Sequence, residues 1–202
     1  MSKTIADSGK IARYFPDKEG ERAADWLAKN VPLFECPDSR FEEVYYHRWH
    51  TYAKHLKHTA DGFIVTEFLP DVSWAGKHNS INAAAGHHFY EGRWLRHAEQ
   101  YLDDYAVFWY RKGGSLRSYS SWLADAILAY ATVIGDMTLP LELLPDMAQN
   151  YAAWEQSNRH ESGLFWSCDD RDAMEFSISG SGLRQIGRAS CRERVYDVGV
   201  VW

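Results

Sequence analysis

Over most of this chain apolar side chains recur at spacings of three and four, the period of a helix with one buried face. Asp38 is a residue type that caps helix starts, and after it Phe41, Val44, Tyr45, Trp49, Tyr52 and Leu56 share one side of a long helix. A shorter helix over Glu21 to Lys29 precedes it and is ended by Pro32. The period returns at Ser80 to Tyr90, then at Ala98 to Arg111 with Tyr101, Tyr105, Phe108 and Trp109 on a face, and then at Ser118 to Ile134. Gly113-Gly114 parts the last two. Leu139 to Asn158 predicts a further amphipathic helix, with Leu143, Leu144, Met147, Tyr151 and Trp154 as its buried stripe.

The pattern breaks at Asp61 to Asn79, DGFIVTEFLPDVSWAGKHN, which opens on an Asp-Gly turn and holds Pro70 and Gly76 among aromatics and charges. This reads as a structured loop with a short strand at Phe63 to Glu67. Helices joined alternately by short turns and long loops predict an all-α fold of stacked helical hairpins. One end of the stack then carries the loops at Asp61 to Asn79, Glu91 to Arg96, Gly113 to Tyr119 and His160 to Arg184, and chemistry is expected there because binding and catalytic groups concentrate on loops.

Composition excludes several function classes. The 202 residues are 46% hydrophobic and 15% aromatic, with 9 Trp and 12 Tyr. That is ample for one domain's core, and such flat amphipathic rings also suit stacking on sugars. The net charge of −6 comes without a basic patch, so the footprint of a nucleic-acid binder is missing. The start, MSKTIADSGKIARYFPDKEGER, lacks the apolar run of a signal peptide, and no stretch is long enough to span a membrane. Cys36, Cys168 and Cys191 have no framework spacing, which predicts a reduced, cytoplasmic setting. Nothing in the sequence sets an oligomeric state.

From Ile186 to Val195 the chain reads IGRASCRERV, with three Arg and no helical or strand period. All ten residues match the in-frame translation of a common sequencing-library adapter, so 185–202 is expected to be a non-native tail. Removing it takes away three Arg and two acids, leaving 19 basic against 26 acidic residues and a net charge of −7. Cys191 and Trp202 leave with it.

The densest chemistry is in Glu161 to Arg184, ESGLFWSCDDRDAMEFSISGSGLR. Asp169, Asp170, Asp172 and Glu175 fall close together around Arg171, so their ionisation is coupled and one pKa can be raised into the range of a general acid. The bland alternative is a solvated loop bracing a helix start, with Arg171 pairing locally. His47 and His50, like His55 and His58, are three apart as metal ligands on one helical face would be, but no carboxylate motif accompanies them. Adjacent His87 and His88 diverge on a helix. No metal site is predicted.

Three strings, TEFLPDVSWAGKHNSIN at Thr66 to Asn82, GHHFYEGRWLR at Gly86 to Arg96, and SGLFWSCDDRDAMEFSISGSG at Ser162 to Gly182, resemble the six-hairpin glycosidases. These (α/α)6 toroids include trehalases, processing glucosidases and mannosylglycerate hydrolases, and the chain looks most similar to the bacterial mannosylglycerate-hydrolase-like domain. The resemblance implies residues 1–32 as a lead-in with a short helix and 33–184 as about half of a toroid. In such relatives an Asp in a G-[ML]-D-N-S-type loop is the general acid of an inverting hydrolysis, and a Glu much further on is the base. The matching run is Ala173-Met174-Glu175-Phe176-Ser177, so the acid falls on Glu175, with Ala in place of Gly and Glu in place of Asp. Asp172 and Asp170 stay as alternatives.

Inversion needs two carboxyls roughly 6.5–9.5 Å apart to seat a water, and the base is expected beyond this chain, which would leave the fragment inactive. The sugar subsite then comprises Trp74, Lys77, Asn79, Glu91, Arg93, Trp94, Trp166 and Arg171. Trp74 and Trp94 would stack on a ring, while Lys77, Asn79, Arg93 and Glu91 would meet hydroxyls. The implied function is cofactor-free hydrolysis of a small carbohydrate substrate. A non-catalytic carbohydrate-binding or scaffold domain with an aromatic cleft is the other reading left open.

Overall fold

The computed structural model describes residues 8–15, 18–168 and 184–186, with the backbone alone at 18–22 and 184–186. Helices α1 (Lys18–Asn30) and α2 (Ser39–His55) precede an antiparallel hairpin, β1 (Leu56–Thr59) and β2 (Gly62–Val65). Four helices follow: α3 (Asn82–Gly92), α4 (Glu99–Arg111), α5 (Leu123–Ile134) and α6 (Thr138–Asn158). A short ladder pairs β3 (Trp166–Cys168) with β4 (Arg184–Ile186), so regular backbone crosses the boundary expected at Gln185. No described helix is long and apolar enough to cross a membrane.

Asp38 caps α2 as its type predicts, accepting from the Arg40 backbone N–H at 3.1 Å. The buried face of α2 differs from the expected stripe. Glu42, Tyr46, Trp49 and Tyr52 point inward, while Phe41 and Val44 are 64% and 68% exposed. The reason is polar: the Glu42 carboxylate accepts from the Tyr14 hydroxyl, from Arg13 at 2.5 Å and from the Cys36 N–H at 2.7 Å, which turns the start of the helix toward the N-terminal segment. These donors, Tyr14 foremost, hold Glu42 below the usual carboxylate range.

Leu56 belongs to β1 rather than to α2. The hairpin lies along α4, where Asp104 accepts from the Phe63 N–H at 2.9 Å. Gly62 has φ +102, and a Cβ there would stand 2.3 Å from the Asp104 carboxylate carbon, so both the turn and the close approach require glycine.

Helices α3 and α5 run in the same direction, with Gly86 against the Trp122 indole and the Tyr90 hydroxyl donating to Asp125 at 2.7 Å. α4 and α6 run opposite to them, so the helices form paired hairpins. Between them lies an aromatic ladder in which Phe89 stacks on Tyr105 at 5.2 Å and Trp109 meets Tyr105 at 5.7 Å. Each such ring contributes about 1.5–3 kcal/mol by leaving water. Burial drives the Tyr105 hydroxyl far above its ordinary pKa, and it lies 2.9 Å from His88 Nδ1.

α5 starts at Leu123, not at Ser118, because the buried Asn82 side chain captures the preceding loop. Its Nδ2 donates to the carbonyls of Leu116 (2.9 Å) and Tyr119 (2.7 Å), and its Oδ1 accepts from the Tyr119 N–H (3.1 Å). On α6, Leu143 and Met147 are buried, whereas Leu144 faces out. Arg111 at the end of α4 ties it to α6, donating to Asp146 at 2.8 Å and to Glu142.

Candidate active site

Three connections gather at the end of the stack where α3 and α5 begin and α4 and α6 finish: residues 66–81, 112–122 and 159–168. The first is shaped by Asn79, one of two consecutive non-glycine residues with positive φ: His78 at 55° and Asn79 at 57°. The buried Asn79 amide donates to the Phe68 carbonyl at 2.5 Å and accepts from the Val72 N–H at 3.0 Å. It therefore folds the loop on itself rather than reaching out for a ligand. The loop is fastened to the β1–β2 turn by Asp61, whose Oδ2 lies 2.6 Å from Lys77 Nζ and 2.5 Å from His78 Nε2. Lys77, then His78, hold the Asp61 carboxyl below the usual range.

Lys77 also donates to the Lys112 carbonyl at 2.9 Å, which joins the first connection to the second. An ammonium has three donors, so this leaves one for a ligand. Trp74 stands out at the loop's crest, 64% exposed and backed edge-to-face by Phe68 at 4.7 Å. Trp166 is half-buried on β3, where its carbonyl accepts from Asn158 at 3.0 Å.

Glu91, Arg93 and Trp94 lie elsewhere. Glu91 lies in the last turn of α3, whose 11 residues span about 16 Å, and Arg93 and Trp94 follow it; their loop is tied to the far end by Arg96, which donates to the carbonyls of Asn30 (2.7 Å) and Val31 (3.0 Å). The expected shared end therefore excludes residues 91–96, and one sugar ring cannot touch both Trp74 and Trp94. Glu91 pairs with Arg48 at 2.6 Å, and the Arg93 guanidinium sits 4.2 Å from the Tyr90 ring and 5.0 Å from the Trp94 ring. The charge and the aromatic rings are spent on one another.

Asp170, Arg171, Asp172 and Glu175 lie outside the described residues. Their flanks are placed: Cys168 and Arg184 are Cα partners in the β3–β4 ladder. Sequence reasoning missed Asp61, which it took only as half of a turn; its Asp-Gly dipeptide signalled the bend and nothing signalled the two partners, Lys77 and His78, sixteen and seventeen residues on. Of the paired histidines, His55 ends α2 and His58 lies in β1, so they do not share a helical face. Among the described residues no group of three or more His, Cys, Asp or Glu could hold a metal ion.

The Mannosylglycerate hydrolase MGH1-like glycoside hydrolase domain matches residues 77–200, a span that runs past Gln185. A solved structure described as a sialidase superposes with a TM-score of 0.78 at 40% identity over 86% of this chain, which spans 18% of that protein's length. No curated protein matches. The paired helices are a fragment of an (α/α) toroid, and the chain belongs to the mannosylglycerate hydrolase MGH1-like glycoside hydrolase domain family.

Proposed function

We propose that this chain is the acid-bearing part of an inverting glycoside hydrolase acting on a small oligosaccharide or glycoside. The reading is supported by one observation: β3, whose last residue Cys168 directly precedes the acidic stretch in sequence, lies at the same end of the stack as the Trp74–Lys77 loop. In this reading a carboxyl of that segment, Glu175 first and Asp172 or Asp170 otherwise, donates a proton to the glycosidic oxygen while water attacks from the opposite face. Trp74 supplies a face for the sugar ring, and Lys77 and Trp166 stand beside it. Arg171 keeps the neighbouring acids ionised so that one of them can hold its proton.

The base is contributed from outside these 202 residues, so the chain alone does not turn over. The test is made on a protein that joins this chain to the rest of its toroid. Glu175→Gln and Asp172→Asn are assayed side by side against a natural glycoside and one with a good leaving group. Loss of the donor should slow the natural substrate by roughly 10²–10⁴-fold and largely spare the activated one. If neither change alters turnover, the acid lies elsewhere.

A further inference from the structure

A solvent-open groove of about 370 Å³ lies between α1, α2, the β1–β2 hairpin and the first turn of α4, a size that suits a small-molecule site. None of its lining residues belongs to the three connections of the site end. Its apolar walls are Trp26 from α1, Leu56 and Phe63 from the hairpin, and Tyr101 from α4. Trp26, Leu56 and Phe63 are only half-buried, so the groove keeps apolar surface in water. The Phe63 and Tyr101 rings stand 81° apart with centroids at 4.9 Å, and Trp26 lies 6.1 Å from Tyr101. Two perpendicular rings form a corner: a flat guest parallel to one wall meets the other edge-on, and both arrangements are favourable. The Tyr101 hydroxyl donates to Asn30 Oδ1 at 2.8 Å, so what Tyr101 adds to the groove is its ring.

The polar groups of the groove are few and carry one sign. Lys54 is exposed and makes no ion pair or hydrogen bond among the described residues, and no carboxylate lines the groove with it. His50 is the other polar side chain there. A sugar, which needs hydrogen bonds around its rim, finds too few partners; a flat apolar body with a single negative group matches both the corner and the ammonium. We propose that this groove binds a small aromatic carboxylate, its ring in the Phe63–Tyr101 corner and its carboxylate on Lys54 Nζ. Such a ligand touches α1, α2, the hairpin and α4 at once, so it binds the folded chain and stabilises it by mass action. The site stands whether or not the acidic segment carries out hydrolysis.

The test is a titration of the full chain, followed by saturation-transfer NMR and calorimetry, with 2-naphthoate, the uncharged 2-naphthamide, and decanoate as an anion without a ring. Binding is read without turnover, so its failure and a failure of the hydrolase reading are distinguishable. 2-Naphthoate should bind, and 2-naphthamide should bind roughly 3–5-fold more weakly, the size of one exposed ion pair. Lys54→Met should erase that preference while keeping the apolar stem. Ala53→Leu, which fills the groove from α2, should weaken both ring compounds ~10-fold with the helical circular dichroism unchanged. No binding of 2-naphthoate, equal binding of acid and amide, a preference that survives in Lys54→Met, or affinities untouched by Ala53→Leu would each overturn the proposal. Decanoate binding more tightly than 2-naphthoate would overturn the assignment to an aromatic ligand.

Discussion

Lys77 and Asp61 meet at 2.6 Å across the gap between the β1–β2 turn and the Trp74 loop, and the same Asp61 oxygen is shared with His78. Asp61 is thus the point at which two connections at the site end become one body. Asp61→Asn should leave the helical core intact while raising hydrogen exchange and protease cleavage within residues 66–81. The difference has a defined pH sign. The native pKa is depressed, so Asp61 adds stability above the ordinary carboxylate value of about 4 and loses it as pH falls through the lower native value. Wild type and variant should therefore converge in acid.

Asp103 should behave in the opposite sense. Its burial raises the carboxyl pKa despite the hydrogen bond it accepts from the Tyr130 hydroxyl at 2.6 Å. The charged form is therefore the costly one, and its cost sets in as pH rises from the unfolded value of about 4 through the raised native value. Asp103→Asn retains an acceptor for Tyr130 and removes the charge. The urea midpoint should rise near neutral pH and match wild type below the carboxylate range.

Gly86 and Gly9 make a matched pair. A Cβ at Gly86 would stand 2.5 Å from the Trp122 indole nitrogen, whereas nothing lies within 4 Å of one at Gly9. Gly9 lies in a short helical stretch at residues 8–12 and Gly86 in α3, and alanine favours a helix at either position by about 1 kcal/mol. Gly86→Ala should nevertheless destabilise by about 1–3 kcal/mol through overpacking, and Gly9→Ala should be neutral or stabilising. Chemical denaturation of the two variants side by side reads both outcomes.

Asn82→Ala should cost about 2–4 kcal/mol, because it strands the Leu116 and Tyr119 carbonyls and the Tyr119 N–H together. Its effect should reach beyond α3: exchange should rise across residues 112–122, the loop whose backbone the Asn82 amide holds. A destabilisation confined to α3 would show that the loop keeps its shape by other means.

The segment after Arg184 has a direct test in the gene. Sequencing the native locus should reveal a reading frame that departs from IGRASCRERV after Arg184. A native frame that continues unchanged to Trp202, as the family match up to residue 200 allows, would establish those residues as part of the domain.

Helix positions were legible from periodicity because most apolar residues of α4 and α5 are buried against neighbours, as Tyr101, Tyr105, Phe108 and Trp109 show. Periodicity failed where polar partners override it. Glu42 goes inward because Arg13, Tyr14 and Cys36 meet it there, which leaves Phe41 and Val44 outside. It failed again at Ser118, where one buried amide from another element holds a helix-compatible stretch in a loop. Loop positions along the sequence were readable, but their sides were not. The helix direction of α3 sends Trp74 and Trp94 to opposite ends, a fact that spacing along a chain does not carry.

The same-direction packing of α3 and α5, with α4 and α6 returning, stacks one hairpin on the next. In such arrays stability is a sum of unit and interface contributions rather than a single global quantity. Cooperativity should then be graded along the chain: the aromatic ladder around Tyr105 would exchange its amides last, while the polar connections at the site end open on a faster clock. A ligand that joins two of those connections would act on the coupling between units, tightening the array without changing any one helix.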